Sequence, residues 1–199
     1  MTPAAPIPRP ETELLVDEAL AQARRLQPTC PEPEIVDVGS GCGAIALALA
    51  MHVPEARVTA TDASQAALEL ARRNAERLGL SDRVRFVRGD LLSPLDGPAD
   101  IIVANLPYVP SDEWQRLAPE VRCYEPRAAL DGGPDGLRLI ERLLRQAPAY
   151  VRPRGAVILE IGHDQSAAVV ALARAAFPTA AIAVKKDLAS LDRMVVVET

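Results

Sequence analysis

The 199-residue sequence predicts an α/β fold: a doubly wound, mostly parallel seven-stranded sheet with an antiparallel edge strand. Three observations point there. From Glu34 onward, short apolar runs alternate with amphipathic stretches of helix length, the pattern of parallel strands joined by helical crossovers. The first strand runs straight into a glycine-rich turn that opens a helix, DVGSGCGAIALALA. The last two apolar runs are separated only by KKDLASLD, too short for a helical crossover, so that pair is antiparallel.

Taken in order, the start carries Pro3, Pro6, Pro8 and Pro10 and reads as extended. A helix follows over Glu11–Arg25, with Leu14, Leu15, Ala19 and Leu26 on its apolar side. Pro28, Pro31 and Pro33 form a stiff connection to EIVDV, a buried strand. AIALALAMH is the next helix and RVTAT the second strand. SQAALELARRNAERLGL is an amphipathic helix capped by Ser64 and stopped by Gly79, with Ala67, Leu70, Ala71, Ala75 and Leu78 on one face. VRFV and DIIVAN are the third and fourth strands, GLRLIERLLRQAPAYV a helix, AVILEIG the fifth strand, and QSAAVVALARAAF a helix ended by Pro178. AAIAV and MVVVE close the chain as strands. Residues 1–33 are thus expected as an extended segment and helix packed on a main domain at 34–199.

Composition narrows the function. Hydrophobic residues make up 49% of the chain, enough for a packed interior. The net charge of −5 argues against a nucleic-acid binder held mainly by phosphate contacts. Cys30, Cys42 and Cys123, with His52 and His163, are too far apart for a zinc site or a disulfide framework, so no metal is expected and a reducing compartment is the simple reading. No apolar stretch has the length of a membrane span, and MTPAAPIPRP lacks the charged start and apolar core of a signal peptide. The expected location is cytoplasmic.

Gly39, Gly41 and Gly43 stand where the first strand meets its helix, and glycine there lets the backbone turn tightly and lets a ligand approach without a Cβ in the way. Such a turn also serves merely to pack helix on strand. Asp62, at the tip of the second strand, lies at the spacing where a carboxylate accepts ribose hydroxyls. The third glycine comes one residue too early for the dinucleotide fingerprint, and Asp37 adds a carboxylate beside the turn. An acidic site suits S-adenosylmethionine, which carries a sulfonium and an ammonium and no phosphate; NAD is the alternative. Asp90 in VRFVRGDLL is placed to accept from the adenine amino group, with Leu91 against the ring.

The arrangement resembles the class I S-adenosylmethionine-dependent methyltransferases, with a Rossmann-like domain at 34–199. PIPRPETELLVDEAL, DVGSGCGAIALALA, ANLPYVP, YEPRAALDGGPDGL and LEIG together resemble the peptide chain release factor glutamine methyltransferases, the PrmC/HemK family. The resemblance implies methyl transfer to the side-chain amide nitrogen of the glutamine in the Gly-Gly-Gln loop of a release factor. It implies a protein partner, no membrane, and nucleic acid only indirectly through the ribosome. Full-length members usually carry a helical domain ahead of PRPETE; this sequence starts at Met1 only a few residues upstream, either as a natural short form or as a piece of a longer protein, and in a natural short form partner recognition falls to the catalytic domain or another subunit.

An amide nitrogen is a poor nucleophile because its lone pair is delocalised into the carbonyl, so it must be held with that lone pair on the line of the C–S bond. Asn105 can offer its side-chain oxygen and Leu106 its backbone carbonyl to the two amide hydrogens, while Tyr108 packs its ring on the flat amide. The resemblance implies these roles for Asn105, Leu106, Pro107 and Tyr108, with Asn105 also bordering the cofactor. The family motif is Asn-Pro-Pro-Tyr, and Leu106 departs from it. Pro107 still biases Leu106 toward an extended backbone, but Asn105 loses the same restriction and is expected to be looser. Asn-Leu-Pro-Tyr also resembles motifs of ribosomal-RNA and DNA amino-methyltransferases, which leaves a nucleic-acid amino group as an alternative target. An inactive cofactor-binding remnant is the other. Thr12 and Glu13 of PRPETE start a helix with acid at its positive end, and by resemblance line the entrance; Glu125 of Glu125-Pro126-Arg127 positions the substrate loop or simply makes a turn.

Overall fold

The computed structural model describes Ala5, Arg9 and residues 12–199; the proline-rich start, with Pro3, Pro6, Pro8 and Pro10, and Glu11 lie outside the described residues. The sheet is built outward from two strands, β1 (Glu34–Val38) and β4 (Ala99–Ala104), paired in parallel. On one side follow β2 (Arg57–Asp62) and β3 (Val84–Arg88); on the other, β7 (Val151–Glu160), β9 (Asp192–Glu198) and β8 (Ala181–Lys186), giving the order β3-β2-β1-β4-β7-β9-β8. The strands from β3 to β7 run parallel, and the antiparallel pairings, β7 with β9 and β8 with β9, fall at the far edge.

Alternation along the strands supplies two separate apolar interiors. All six residues of β4 are buried. Ile101 and Val103 face one side, packed with Ile35, Leu49 and Ile158, and with Leu15 and Ala19 of α1 (Thr12–Leu26). Ile102 and Ala104 face the other, with Leu143 and Leu144 of α5 (Arg138–Tyr150) and Val169 and Ala173 of α6 (Ser166–Ala176). Each fully buried Ile or Leu contributes about 1.5–3 kcal/mol relative to exposure, so the central strands hold the fold together.

The helix α2 (Ala44–His52) has hardly a polar face, as expected of a helix covered on most sides. It covers β1, β2 and β3, while α1 lies beside it on the same face of the sheet, over β4 and β7, and adds Leu15, Ala19, Ala23 and Leu26 to the shared interior. The middle of α1 is tied to the far edge of the sheet by Gln22 donating to Glu198 (2.7 Å) and by the Lys185–Glu18 ion pair. On α3 (Gln65–Leu78), Ser64 accepts from the Ala67 N–H and left-handed Gly79 ends the helix. The buried stripe of α3 is Ala67, Leu68, Ala71 and Ala75; Leu78, expected on that face, is exposed, and Leu68 takes the place expected of Leu70.

Between β4 and α5 the chain builds a small second layer. β5 (Val109–Pro110) pairs in parallel with β6 (Asp131–Gly133), and the intervening residues form 3-10 turns at Trp114–Arg116 and Arg127–Ala129 around the short helix α4 (Pro119–Tyr124). A two-residue strand is too short to show a period in sequence.

Candidate active site

The strand order reverses direction between β1 and β4, and an open parallel sheet has its ligand crevice beyond the carboxyl ends of the strands at such a point. The register makes this concrete: Val38 lies opposite both Thr61 and Ala104, and Ala104 opposite Leu159. The residues one step further, Asp62, Gly39, Asn105 and Glu160, therefore form one row across the carboxyl ends of four strands. Motifs far apart in the chain become neighbours through strand pairing alone.

Gly39 and Gly41 have positive φ, as does Gly43, which opens α2 without a side-chain cap. A Cβ on Gly39 would sit 2.9 Å from Leu106 Cδ2, so the turn needs glycine both for its backbone and for the side chain packed on it. The turn is anchored on both flanks. Asp62 accepts from the Gly41 N–H (2.8 Å) and the Ser64 N–H (2.8 Å), and Asn74 Nδ2 donates to the Cys42 carbonyl (3.0 Å).

Beside the turn lies a cavity of about 240 Å³, lined on one side by Gly39, Gly41, Asp62, Asp90 and Leu91 and on the other by Asn105, Leu106 and Pro107. Two carboxylates and no cationic side chain are among its described lining residues. Asp62 accepts its two hydrogen bonds on separate oxygens, each retaining a further lone pair for a hydroxyl. Asp90, half exposed, pairs with Arg142. Leu91 adopts a positive φ and its carbonyl accepts from Thr61 Oγ1 (3.0 Å), which ties the exit of β3 to β2.

Asp37 sits not on the cavity wall but beneath the turn, wholly buried. One of its oxygens accepts from the Ala46 N–H (3.1 Å) in the first turn of α2, supplying the acceptor that Gly43 lacks. The other has no hydrogen-bond partner among the described residues. Burial pushes the carboxyl up to about 7; the bond from Ala46 pulls the other way, and the charge of Asp62 adds a smaller push.

A second cavity of about 120 Å³ opens on the other side of the same wall, lined by Arg9, Thr12, Asn105, Tyr108 and Glu160. The two cavities share Gly39, Gly41, Asn105, Leu106, Pro107 and Ala129, so the Asn-Leu-Pro segment is the partition between them. Asn105 is not loose, as the missing proline suggested: its Nδ2 donates to Thr12 Oγ1 (3.1 Å). Thr12 Oγ1 donates in turn to Glu160 Oε2 (3.2 Å), and Tyr108 OH donates to Glu160 Oε1 (3.1 Å). Leu106 is buried against the glycine turn, so packing fixes it where a ring would have done so.

Glycines of the EPRAALDGGPDG segment mould the partition from behind. A Cβ on Gly132 would lie 2.6 Å from the Pro107 carbonyl oxygen, and one on Gly136 2.1 Å from that of Tyr108. Gln165 Nε2 donates to the same Tyr108 carbonyl (2.9 Å) and its Oε1 accepts from Gly162 N–H (2.8 Å). Asp131 is held at about 2 by hydrogen bonds from Ser111 and the Gly133 N–H, with Arg127 beside it, and so locks β5 to β6. Glu125 pairs with Arg9, clasping the PRPETE segment to the EPR turn; Glu125 lies behind the wall, and it is Arg9 that reaches the cavity. Glu13 lines a neighbouring groove between α1 and α2 with Val16 and Ala48.

Glu160, Gln165, Arg9 and Asn74 were not singled out from sequence. Glu160 alone had a usable signal: an acidic residue closing an apolar strand, LEIG, next in register to Asn105. Among the described residues, no helix is long and apolar enough to cross a membrane, and no group of His, Cys, Asp or Glu could hold a metal ion.

A family model described as a methyltransferase domain matches residues 35–124. The release factor glutamine methyltransferase of Moorella thermoacetica is 49% identical over 194 residues, which cover 97% of this chain and 67% of that protein. The one from a Synechocystis species is 43% identical, over 97% of this chain and 66% of that protein. The chain spans about two thirds of the length of these curated relatives. Among solved structures, a methyltransferase from Pyrococcus furiosus superposes with a TM-score of 0.72 over 100% of this chain and 86% of that one, at 18% identity, a likeness of fold.

Proposed function

The chain belongs to the release factor glutamine methyltransferase family, and from that premise we propose that it transfers a methyl group from S-adenosylmethionine to the side-chain amide nitrogen of a glutamine in the Gly-Gly-Gln loop of a peptide chain release factor. The observation that carries this reading is the shared wall: two cavities meet at Asn105, Leu106 and Pro107. One is walled by the glycine turn and strand-end carboxylates, the other by polar side chains around Asn105.

The larger cavity fits the cofactor by its donor set. Asp62 and Asp90 accept from hydroxyls and an amino group, Leu91 offers an apolar face, and the lack of a cationic side chain among the described lining residues suits a positively charged ligand without phosphates. Asp37 places under the same turn an oxygen with no hydrogen-bond partner among the described residues. When bound, S-adenosylmethionine supplies an electrophilic methyl group on a sulfonium.

The chain's own residues then have one task, to present the amide nitrogen. The Asn105 side-chain oxygen and the Leu106 carbonyl accept the two amide hydrogens, which draws electron density toward nitrogen and fixes the plane of the group. Tyr108, anchored through its hydroxyl on Glu160, offers its ring to the flat face. Alignment of this kind contributes at most about 7–11 kcal/mol. No histidine lines either cavity, and none is needed, because the methylated nitrogen loses its proton readily once the bond has formed.

The test is transfer of labelled methyl groups to a release factor carrying Gly-Gly-Gln and to the same factor with that glutamine replaced by alanine. Label on the first alone is expected. Equal label on both, or label only on added RNA or DNA, overturns the reading.

A further inference from the structure

We propose that Glu160 and Thr12 form a positioning relay that decides which end of the Asn105 amide faces the substrate. The proposal rests on the reading above of Asn105 as acceptor for the glutamine amide. An asparagine side chain offers two nearly isosteric ends, one that donates and one that accepts. Only the accepting end can hold an amide NH₂ group, so the site works only if something distinguishes the two.

Thr12 has a single hydroxyl hydrogen. Glu160 Oε2 lies 3.2 Å from Thr12 Oγ1, and a carboxylate accepts only, so that hydrogen goes to Glu160. Toward Asn105, 3.1 Å away on its other side, the same oxygen can then only accept. That fixes Nδ2 against Thr12 and leaves Oδ1 as the end on the cavity side. The other Glu160 oxygen takes the Tyr108 hydroxyl (3.1 Å), so one buried carboxylate orients both substrate-facing side chains. Arg193, at the neighbouring strand, lies within electrostatic reach of Glu160 and Tyr108. Burial works against its charge, yet Asp187 and the fields of Tyr108 and Glu160 outweigh that and raise its pKa, so a cation stands near the acidic end of the relay.

Thr12 and Glu160 come from the first helix and the fifth strand of the main sheet order, and neither needs to touch the reacting atoms. They act through Asn105. In the relay, replacing Glu160 by glutamine places an amide against Thr12, which can reverse every donor and acceptor along the chain and turn Nδ2 toward the substrate.

The test uses the 199-residue chain with Thr12→Val, Thr12→Ser, Glu160→Gln and the double variant Thr12→Val/Glu160→Gln. Thr12→Val is expected to lower kcat by about tenfold to a hundredfold while KM for the cofactor stays within about twofold, and Thr12→Ser to recover most of the loss. The double variant should be no slower than the slower single one, because both break the same chain. A purely structural Thr12 would give Thr12→Val a lower melting temperature and an unchanged kcat, which overturns the proposal; so does a serine variant as slow as the valine one.

A second measurement does not depend on the substrate. The side-chain NH₂ signals of Asn105, identified in NMR spectra by their loss in Asn105→Asp, should exchange slowly in the wild type and fast in Thr12→Val. Fast exchange in both, or slow exchange in both, overturns the relay. A wild-type chain that methylates nothing would instead sink the glutamine reading, while the NMR result would still decide how Asn105 is held.

Discussion

A single methyl group added at Gly132 tests whether the partition between the cavities is moulded from behind. A Cβ there would lie 2.5 Å from the Gly136 carbonyl oxygen and 2.6 Å from the Pro107 carbonyl oxygen. Both are backbone atoms, so neither can swing aside. Restoring ordinary contact requires a shift of roughly 0.8 Å, and Pro107 is bonded directly to the Leu106 carbonyl that is assigned to the substrate amide. A misplacement of about 1 Å at a reacting group costs about a hundredfold, so Gly132→Ala should lower kcat by roughly 30- to 100-fold. The strain of about 1–3 kcal/mol leaves a typical domain folded. Gly97, with nothing within 4 Å of an added Cβ, is the control: the same change there should leave kcat at the wild-type value. The assay is single-turnover methyl transfer at saturating release factor, with cofactor binding by calorimetry and a melting curve for each variant. Wild-type kcat in Gly132→Ala would refute the moulding argument, and a loss of cofactor binding equal to the loss of rate would place the damage in the wrong cavity.

Three further outcomes follow from the same geometry. Asn105→Ala should abolish transfer with cofactor affinity changed only several-fold, measured by labelled transfer and calorimetry; an active variant removes Asn105 from its role. Leu106→Pro, which restores the family motif, should keep kcat within about threefold and lower the melting temperature, because it removes buried side-chain atoms at a cost of about 1–2 kcal/mol; a large rate loss would mean a differently shaped turn. Asp37, with its carboxyl raised from 3.8 to about 7, holds its proton in the folded chain where the unfolded chain has lost it. Its favourable contribution is therefore complete below pH about 4, falls as pH rises to about 7, and changes little above, by at most about 4 kcal/mol in all. Asp37→Asn should flatten that part of a denaturation series taken from pH 5 to 8, and an unchanged slope would assign the pH dependence elsewhere.

The sheet was legible in sequence because its signals are local. EIVDV and DIIVAN are short runs buried on both faces, and Ser64 and Gly79 mark the ends of their helix by side-chain and backbone chemistry within a few residues. The row of strand-end residues was half legible. Gly39, Asp62 and Asn105 sit in recognisable stretches, but their adjacency depends on register and strand order. Glu160 and Gln165 act on residues 52 and 57 positions away, and only tertiary pairing brings them there. Asp37 stands two residues before the first glycine, which points to the ligand; strand alternation also turns one of its oxygens toward the N-terminus of α2, a role only the fold reveals. Leu78 misled for the opposite reason: it continues the helical period, but as the last residue of α3 it stays half exposed.

The most direct test is a crystal structure of the chain with S-adenosylhomocysteine and a peptide containing Gly-Gly-Gln. The nucleoside should lie over Gly39–Gly43 with its ribose hydroxyls on Asp62, and the glutamine amide hydrogens should meet Asn105 Oδ1 and the Leu106 carbonyl. A peptide bound away from the Asn-Leu-Pro wall, or an Asn105 that presents Nδ2 to it, would contradict the mechanism.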